Sequence, residues 1–268
     1  MTVSPTVRPY DHFLLDLDGC LWIGDEPTER APDAVAALRE AGKRVLFLTN
    51  DPRHSAEDFV RKLWRLGFRA SVDEIASVGA AVQHLLASRG PGAGSAFVIG
   101  PQALIDHVAA AGCRIVNNTE FASRADVVVV AGHEDFDYRE LRIATQAVLR
   151  GAELIGATRD PVFPMPDGPW PGTGAVLAAV ETATGVRAEV LAGKPEPAFY
   201  AAALDRLGPG RTLGVGDRLD VDVAGAHGAG IDAALVLTGG ATRAQAEAAE
   251  RPPRHIADSL ARLVLGAA

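Results

Sequence analysis

The stretch Phe13-Leu14-Leu15-Asp16-Leu17-Asp18-Gly19 decides how the rest of the chain is read. An apolar run leads into two carboxylates and a glycine, so a buried strand ends where charge begins. In an open parallel sheet the carboxyl ends of the strands line the binding crevice, so Asp16 and Asp18 can meet a ligand while the strand itself stays buried. Asp and Gly also end strands simply by turning the chain, and this stretch alone leaves both readings open.

The same ending recurs twice. Val45-Leu46-Phe47-Leu48 runs into Thr49-Asn50, whose hydroxyl, amide and backbone N–H groups suit an anion, although alone such a pair is most often an ordinary turn or helix cap. Thr212 to Val215 runs into Gly216-Asp217, with Asp220 and Asp222 following but without the D-x-D-x-D-G order of an EF-hand. Three apolar runs thus deliver polar groups suited to phosphate and magnesium to the same predicted edge of one sheet. Gathering Asp16, Asp18, Asp217 and Asp222 there would make each close pair repel by roughly a few kcal/mol, so the site requires cations. Hard carboxylate oxygens select Mg²⁺, which keeps waters and takes substrate phosphate oxygens for the rest of its shell. The cationic partner within the chain is Lys194, in Gly193-Lys194-Pro195-Glu196-Pro197 at a helix start; a lone lysine there is usually a surface residue.

Length and composition bound these readings. At 268 residues the chain has room for about two domains, or one large one. Hydrophobic residues make up 48% and charged residues 22%, which is ordinary globular usage. With 26 Lys and Arg against 34 Asp and Glu the net charge is −8, which disfavours nucleic acid as a partner. Cys20 and Cys113 form no CxxC pair, so reduced buried thiols are expected. No apolar run approaches the roughly 18 residues that span a bilayer, and the first residues carry no leader pattern, so the expectation is a cytoplasmic protein without a membrane partner.

Short apolar runs alternate with Ala-, Leu- and Arg-rich stretches, the pattern of an α/β protein with a parallel sheet. Strands are expected over 13–17, 44–49, 96–100, 126–131, 212–216 and 233–237. Helices are expected over 32–41, 55–66 and 195–207, the last opening with prolines in its first turn. Residues 89–95 are Gly-rich, 161–174 mix Pro and Gly as a long ordered or binding loop, and 242–250 form a solvated helix. The segment from about Val78 to Ala188 has its own alternation and could form a separate unit.

In this order, DLDG (Asp16 to Gly19), TN (Thr49, Asn50), GKP (Gly193 to Pro195) and GDRLDVD (Gly216 to Asp222) resemble the haloacid dehalogenase superfamily. The insertion between the second and third motifs carries Pro161 to Gly168 and Pro171-Gly172-Thr173-Gly174, and looks like the large cap of the NagD-like branch. The resemblance implies a doubly wound Rossmann-like core over 1–77 and 189–268 and an inserted α/β cap over 78–188. It implies a Mg²⁺-dependent phosphatase for a small soluble phosphate ester. Asp16 would be the nucleophile, forming an aspartyl phosphate, and Asp18 the acid and base, its backbone carbonyl helping to hold Mg²⁺. Thr49 and Asn50 would orient the phosphoryl group, Lys194 would offset charge, Asp217 would ligate the metal and Asp222 would act from behind it. Displacing halide does not need Asp18, which favours a phosphatase over a dehalogenase. A homodimer through the cap is also implied by the resemblance. The alternatives are a phosphotransferase using the same nucleophile and a non-catalytic phosphometabolite-binding protein; intact Asp16 and Asp18 argue against the second.

Departures from the family pattern concentrate after Thr49-Asn50. The chain continues Asp51-Pro52-Arg53-His54-Ser55, adding one negative and one positive charge beside the phosphate loop. Asp51 is a candidate phosphate-loop residue, against the simpler expectation that Asp51 and Arg53 pair at the surface. His133 is a candidate substrate contact in the cap, against an ordinary exposed loop histidine. Trp22 and Trp170 could meet an apolar leaving group, with buried packing the default for both. Cys20, next to DLDG, is more simply an inert buried thiol than an oxidation-sensitive one.

Overall fold

The computed structural model describes residues 3–90, 94–165 and 168–266. Residues 91–93 of the Gly-rich stretch, and Pro166 and Asp167, lie outside the described residues. The chain forms two compact units: Met1–Thr49, Ala56–Ala76 and Lys194–Ala268 make the first, Asn50–Ser55 and Ser77–Gly193 the second.

The six-stranded sheet of the first unit runs in the spatial order His255–Ala257, Asp232–Val236, Thr212–Gly216, His12–Asp16, Arg44–Thr49, Ile75–Ser77. The first five strands pair in parallel. Winding proceeds one way from His12–Asp16 to Arg44–Thr49 and the other way from Thr212–Gly216 outward, so His12–Asp16 stands where the strand order reverses, the usual place of an α/β ligand site. Both faces of the sheet are covered, which is why its strands are almost continuously apolar. Phe13, Leu15, Val45, Phe47, Leu213 and Val215 pack with Val35 and Leu38 of the helix Ala31–Glu40, Leu63 of Ala56–Arg65 and Leu260 of Leu260–Leu265.

A five-stranded, all-parallel sheet builds the second unit, in the order Val190–Leu191, Glu153–Gly156, Val127–Val130, Ser95–Ile99, Arg114–Ile115. The helices Val78–Ala87 and Gln102–Ala110 pack on one face through Val82, Leu86, Leu104 and Val108. Tyr138–Leu149 and Thr173–Thr184 pack on the other through Ala144, Val148, Leu177 and Val180.

Several expected bounds need correction. First, residues 189–193 go with the second unit, because Val190–Leu191 adds a strand to its sheet and the Gly193 N–H donates to the Ala157 carbonyl at 2.8 Å. Second, Asn50–Ser55 also joins that unit. Third, the expected long loop over 161–174 contains a β-hairpin, Val162–Met165 with Gly168–Pro171, followed by a helix from Thr173. A two-stranded ribbon needs few ladder donors, so its prolines are tolerated there. The helix expected from Pro195 begins at Pro197, and the solvated helix over 242–250 is the shorter Arg243–Glu247.

Candidate active site

His12 is level with both Arg44 and Thr212, so the three central strands of the first unit end together. Asp16 closes its strand, Thr49 closes the neighbour on one side, and Asp217 follows Gly216 on the other. Local sequence therefore brings these three residues to one edge. One carboxylate oxygen each from Asp16, Asp217 and Asp222 lie within 4.8 Å of one another. The Asp18 carboxylate is not part of that trio.

Asp217 sits in a cradle shaped by glycines. Gly19, with φ +82°, turns the chain through the left-handed region, and a Cβ there would lie 2.6 Å from Asp217 Cγ. A Cβ on Gly239 would lie 2.0 Å from Asp217 Oδ2. The Gly240 N–H donates to that same oxygen at 2.6 Å, and the Thr238 hydroxyl donates to the Gly19 carbonyl at 2.5 Å.

Lys194 is buried, not a surface lysine. Its ammonium donates to Asp16 Oδ1 and, at 2.8 Å, to Asp222 Oδ1, while the Arg218 N–H donates to Asp222 Oδ2 at 3.1 Å. Burial opposes the lysine charge, yet Asp16 and Asp222 outweigh it and hold the ammonium above its ordinary value. Burial pushes the Asp16 carboxyl well above the usual range; Lys194 pulls it back, and Asp222 and Asp217 push it up again. Asp217 is pushed up to about 6, by burial first and by Asp222 second. With all three carboxylates ionised, one ammonium would leave negative charge uncompensated, which adds to burial in making Asp16 and Asp217 hold their protons more tightly than free carboxylates do.

Asp18 follows the strand and is half-buried. The Trp22 indole N–H donates to Asp18 Oδ1 at 2.7 Å. Trp22 opens a small hairpin with Glu26–Pro27, and the Gly19 N–H donates to the Trp22 carbonyl at 2.8 Å, closing the turn around Asp18. The Lys62 ammonium lies 4.6 Å from the centre of the buried Trp22 ring and donates to the Gly24 carbonyl at 2.9 Å.

In the second unit, Asn50 Nδ2 donates to Asp160 Oδ2 at 2.9 Å. Asp51 and Arg53 do pair, but the Asp51 carboxylate is largely enclosed and not a surface group. It accepts from the Arg53 N–H, Nε and Nη2 at 2.8 to 2.9 Å and contacts His54 Nδ1 at 3.1 Å. Burial alone would raise its pKa; the hydrogen bonds from His54 and Arg53 reverse this and hold it far below the usual carboxylate range. His133 is not an exposed loop histidine either. It contacts Glu140 Oε2 at 2.9 Å and packs edge-on against Phe136, and Glu140 also closes the capping box with Asp137 at the start of Tyr138–Leu149.

Residues 13–114 match the family described as haloacid dehalogenase-like hydrolase, and residues 191–263 match a second, HAD-hydrolase-like description. Human chronophin is 35% identical over 94% of this chain and 92% of its own length. The chain belongs to the haloacid dehalogenase-like hydrolases. The D-glycerol 3-phosphate phosphatase of Mycobacterium tuberculosis is 38% identical over 87% of this chain, which spans 64% of that protein's length, just under two thirds. The crystal structure of a glycerol phosphate phosphatase from the same bacterium, in complex with magnesium, has a TM-score of 0.89 at 36% identity and covers 97% of this chain and 78% of that one. These relatives place it in the NagD-like branch that its motifs resemble.

Some site features of this haloacid dehalogenase-like hydrolase leave no clear signal in its sequence. Thr238-Gly239-Gly240 follows a strand, as Asp217 does, but bears no charge. Sequence offers Trp22 as packing or as a leaving-group contact, whereas its N–H donates to Asp18. Trp170 is half-buried, with its ring 6.4 Å from that of Phe163 across the hairpin. Cys20 is fully buried, and burial followed by the charges of Asp16, Asp217 and Asp222 pushes its thiol well up, so it is inert.

Proposed function

We propose that this chain is a Mg²⁺-dependent phosphomonoester hydrolase that acts on a small soluble phosphate ester through an aspartyl phosphate on Asp16. The observation that carries this reading is the Asp16, Asp217 and Asp222 carboxylate trio with the buried Lys194 beside it. The donor set fits the ion: hard oxygens close together, with more negative charge than one ammonium offsets. When bound, magnesium supplies positive charge to the phosphoryl oxygens.

The Asp16 carboxylate attacks phosphorus, and the bond from phosphorus to the ester oxygen breaks as the new one forms. Asp18, held by Trp22, gives its proton to the leaving alkoxide and later takes one from the water that hydrolyses the aspartyl phosphate. Thr49 and Asn50 hold the phosphoryl group, and Lys194 offsets charge on Asp16 and on the phosphate. Asp16 and Asp217 would hold magnesium through their side chains, and Asp18 through its backbone carbonyl. Both oxygens of Asp222 already accept hydrogen bonds, which suits it to orienting Lys194 more than to holding magnesium directly. Asp51, acceptor-only and engaged by Arg53 and His54, shapes the loop after Asn50. His133 is retained as a candidate substrate contact, with its Glu140 partner setting the ring.

The inserted second unit is the cap in this reading, and it selects the leaving group. A homodimer through that unit would cover Phe121, Tyr138 and Leu149, which are exposed. Among the described residues no helix is long and apolar enough to cross a membrane. Two buried free cysteines fit a reducing cytoplasm.

The test is phosphate release with magnesium from glycerol 3-phosphate, sugar phosphates, phosphoglycolate, nucleoside monophosphates, pyridoxal phosphate and p-nitrophenyl phosphate. Asp16→Asn should abolish release while the melting curve stays cooperative; release at the wild-type rate would sink the mechanism. Release without an added acceptor separates a hydrolase from a phosphotransferase.

A further inference from the structure

An asparagine side chain turned by half a rotation presents an acceptor where a donor is needed, so the Asn50 amide must be held one way round to serve phosphate. We propose that Asp160 is the positioning residue that fixes the Asn50 amide for phosphate, an inference that rests on the phosphate-binding role proposed for Asn50.

The geometry supplies both halves of the constraint. Asn50 Nδ2 donates to Asp160 Oδ2 at 2.9 Å, and an ionised carboxylate only accepts, so the nitrogen end must face Asp160. On the other side, a Cβ built on Gly193 would lie 2.6 Å from Asn50 Oδ1 and 2.8 Å from Thr158 Cγ2. The carbonyl end of the amide therefore packs on the bare Gly193 backbone, one residue before Lys194. Both ends are defined, and the side chain is set before any ligand arrives, which reduces the ordering that binding would otherwise require.

Asp160 is itself rigidly mounted. Its carbonyl accepts from the Gly174 N–H at 2.8 Å, at the start of Thr173–Thr184. A Cβ on Gly172 would lie 2.4 Å from that carbonyl and one on Gly174 2.9 Å from it, so both positions need glycine for the approach. The preceding Arg159 forks onto Glu181 at 2.7 and 3.1 Å and donates to the Ala188 carbonyl at 3.0 Å. These contacts tie residues 159–160 to the helix Thr173–Thr184 and to Ala188 beyond it. Gly172 and Gly174 thereby act on the phosphate site through Asp160.

The experiment measures kcat and KM for p-nitrophenyl phosphate in wild type, Asp160→Leu, Asp160→Asn, Asn50→Ala and the Asn50→Ala/Asp160→Leu double variant. Asp160→Leu should raise KM about tenfold, the loss expected for a hydrogen bond to a charged group, with a smaller change in kcat. Asp160→Asn keeps an acceptor and should recover most of that loss. In the Asn50→Ala background Asp160→Leu should add less than about twofold, since the interaction is already gone. An unchanged KM in Asp160→Leu, or the same penalty with and without Asn50, overturns the proposal. The Asn50 side-chain amide resonance, assigned by its disappearance in Asn50→Ala, gives a readout independent of turnover. It should shift in Asp160→Leu even if wild type releases no phosphate, an outcome that would defeat the phosphatase reading alone; an unmoved resonance overturns the positioning role by itself.

Discussion

The Lys194 ammonium lies 2.8 Å from Asp222 Oδ1 and also donates to Asp16, so one buried cation ties the end of the central strand to the loop after its neighbour. Removing one member of such a group is more damaging than never having built it, because the remaining charges stay buried. Lys194→Met should therefore lower stability by about 3–5 kcal/mol in metal-free buffer and lower phosphate release by roughly 10³-fold. Urea unfolding with EDTA and steady-state assays check both; a wild-type denaturation midpoint would contradict the first.

Magnesium should stabilise the fold, because the Asp16, Asp217 and Asp222 trio carries charge that Lys194 does not neutralise. At a hundredfold excess over its dissociation constant the ion should add about 2.7 kcal/mol, and EDTA should remove it. Gly239→Ala drives a methyl group to within 2.0 Å of Asp217 Oδ2, so its magnesium-dependent rise in melting temperature should be at most about half that of wild type. An identical rise in the variant would mean that Asp217 takes no part.

Trp22→Phe keeps a buried aromatic ring, smaller than the indole, and deletes the N–H that holds Asp18. Orientation of an acid matters in the transition state more than in substrate binding, so kcat should fall about tenfold with KM little changed. A variant in which KM alone rises would assign Trp22 to leaving-group contact instead.

Between neutral pH and about pH 5.5 the histidines of the two units should act with opposite signs. Burial lowers the pKa of His12, His227 and His255 in the first unit, helped by Arg44, Arg251 and Arg254 respectively. Their neutral forms are favoured in the fold, so stability is full above the unfolded histidine value and is lost as pH falls through the range just below it. The hydrogen bond to Glu140 raises His133, whose contribution is full below the unfolded value and is lost as pH rises through the folded one. His12→Gln should lose less melting temperature than wild type on acidification. His133→Gln should be destabilised relative to wild type at about pH 5.5 and match it at alkaline pH.

Much of the first unit was legible because a parallel strand buried on both faces leaves an unmistakable apolar run. Arg44–Thr49 and Thr212–Gly216 match the expected spans, whereas other strands start a residue early, at His12, Ser95 and Asp232. Ladder hydrogen bonds join backbones irrespective of side-chain polarity, so a polar residue can begin a strand that hydropathy starts one position later. The hairpin at Val162–Pro171 was hidden for the converse reason, since its prolines argue against a strand in any sheet wider than a ribbon.

Local pattern was sufficient to put Asp16, Thr49 and Asp217 at strand ends, because the change from apolar to polar along a strand records where burial stops. Partnership was beyond its reach. Lys194 stands 178 residues from Asp16, and Asn50 stands 110 from Asp160. Nothing in periodicity says which buried cation meets which carboxylate, or which end of an amide meets an acceptor. Those pairings follow from the order in which the strands lie side by side and from glycines that let backbones approach within a methyl group's width. Only the packed structure decides them, because the free energy of a buried polar group depends on the particular atom beside it.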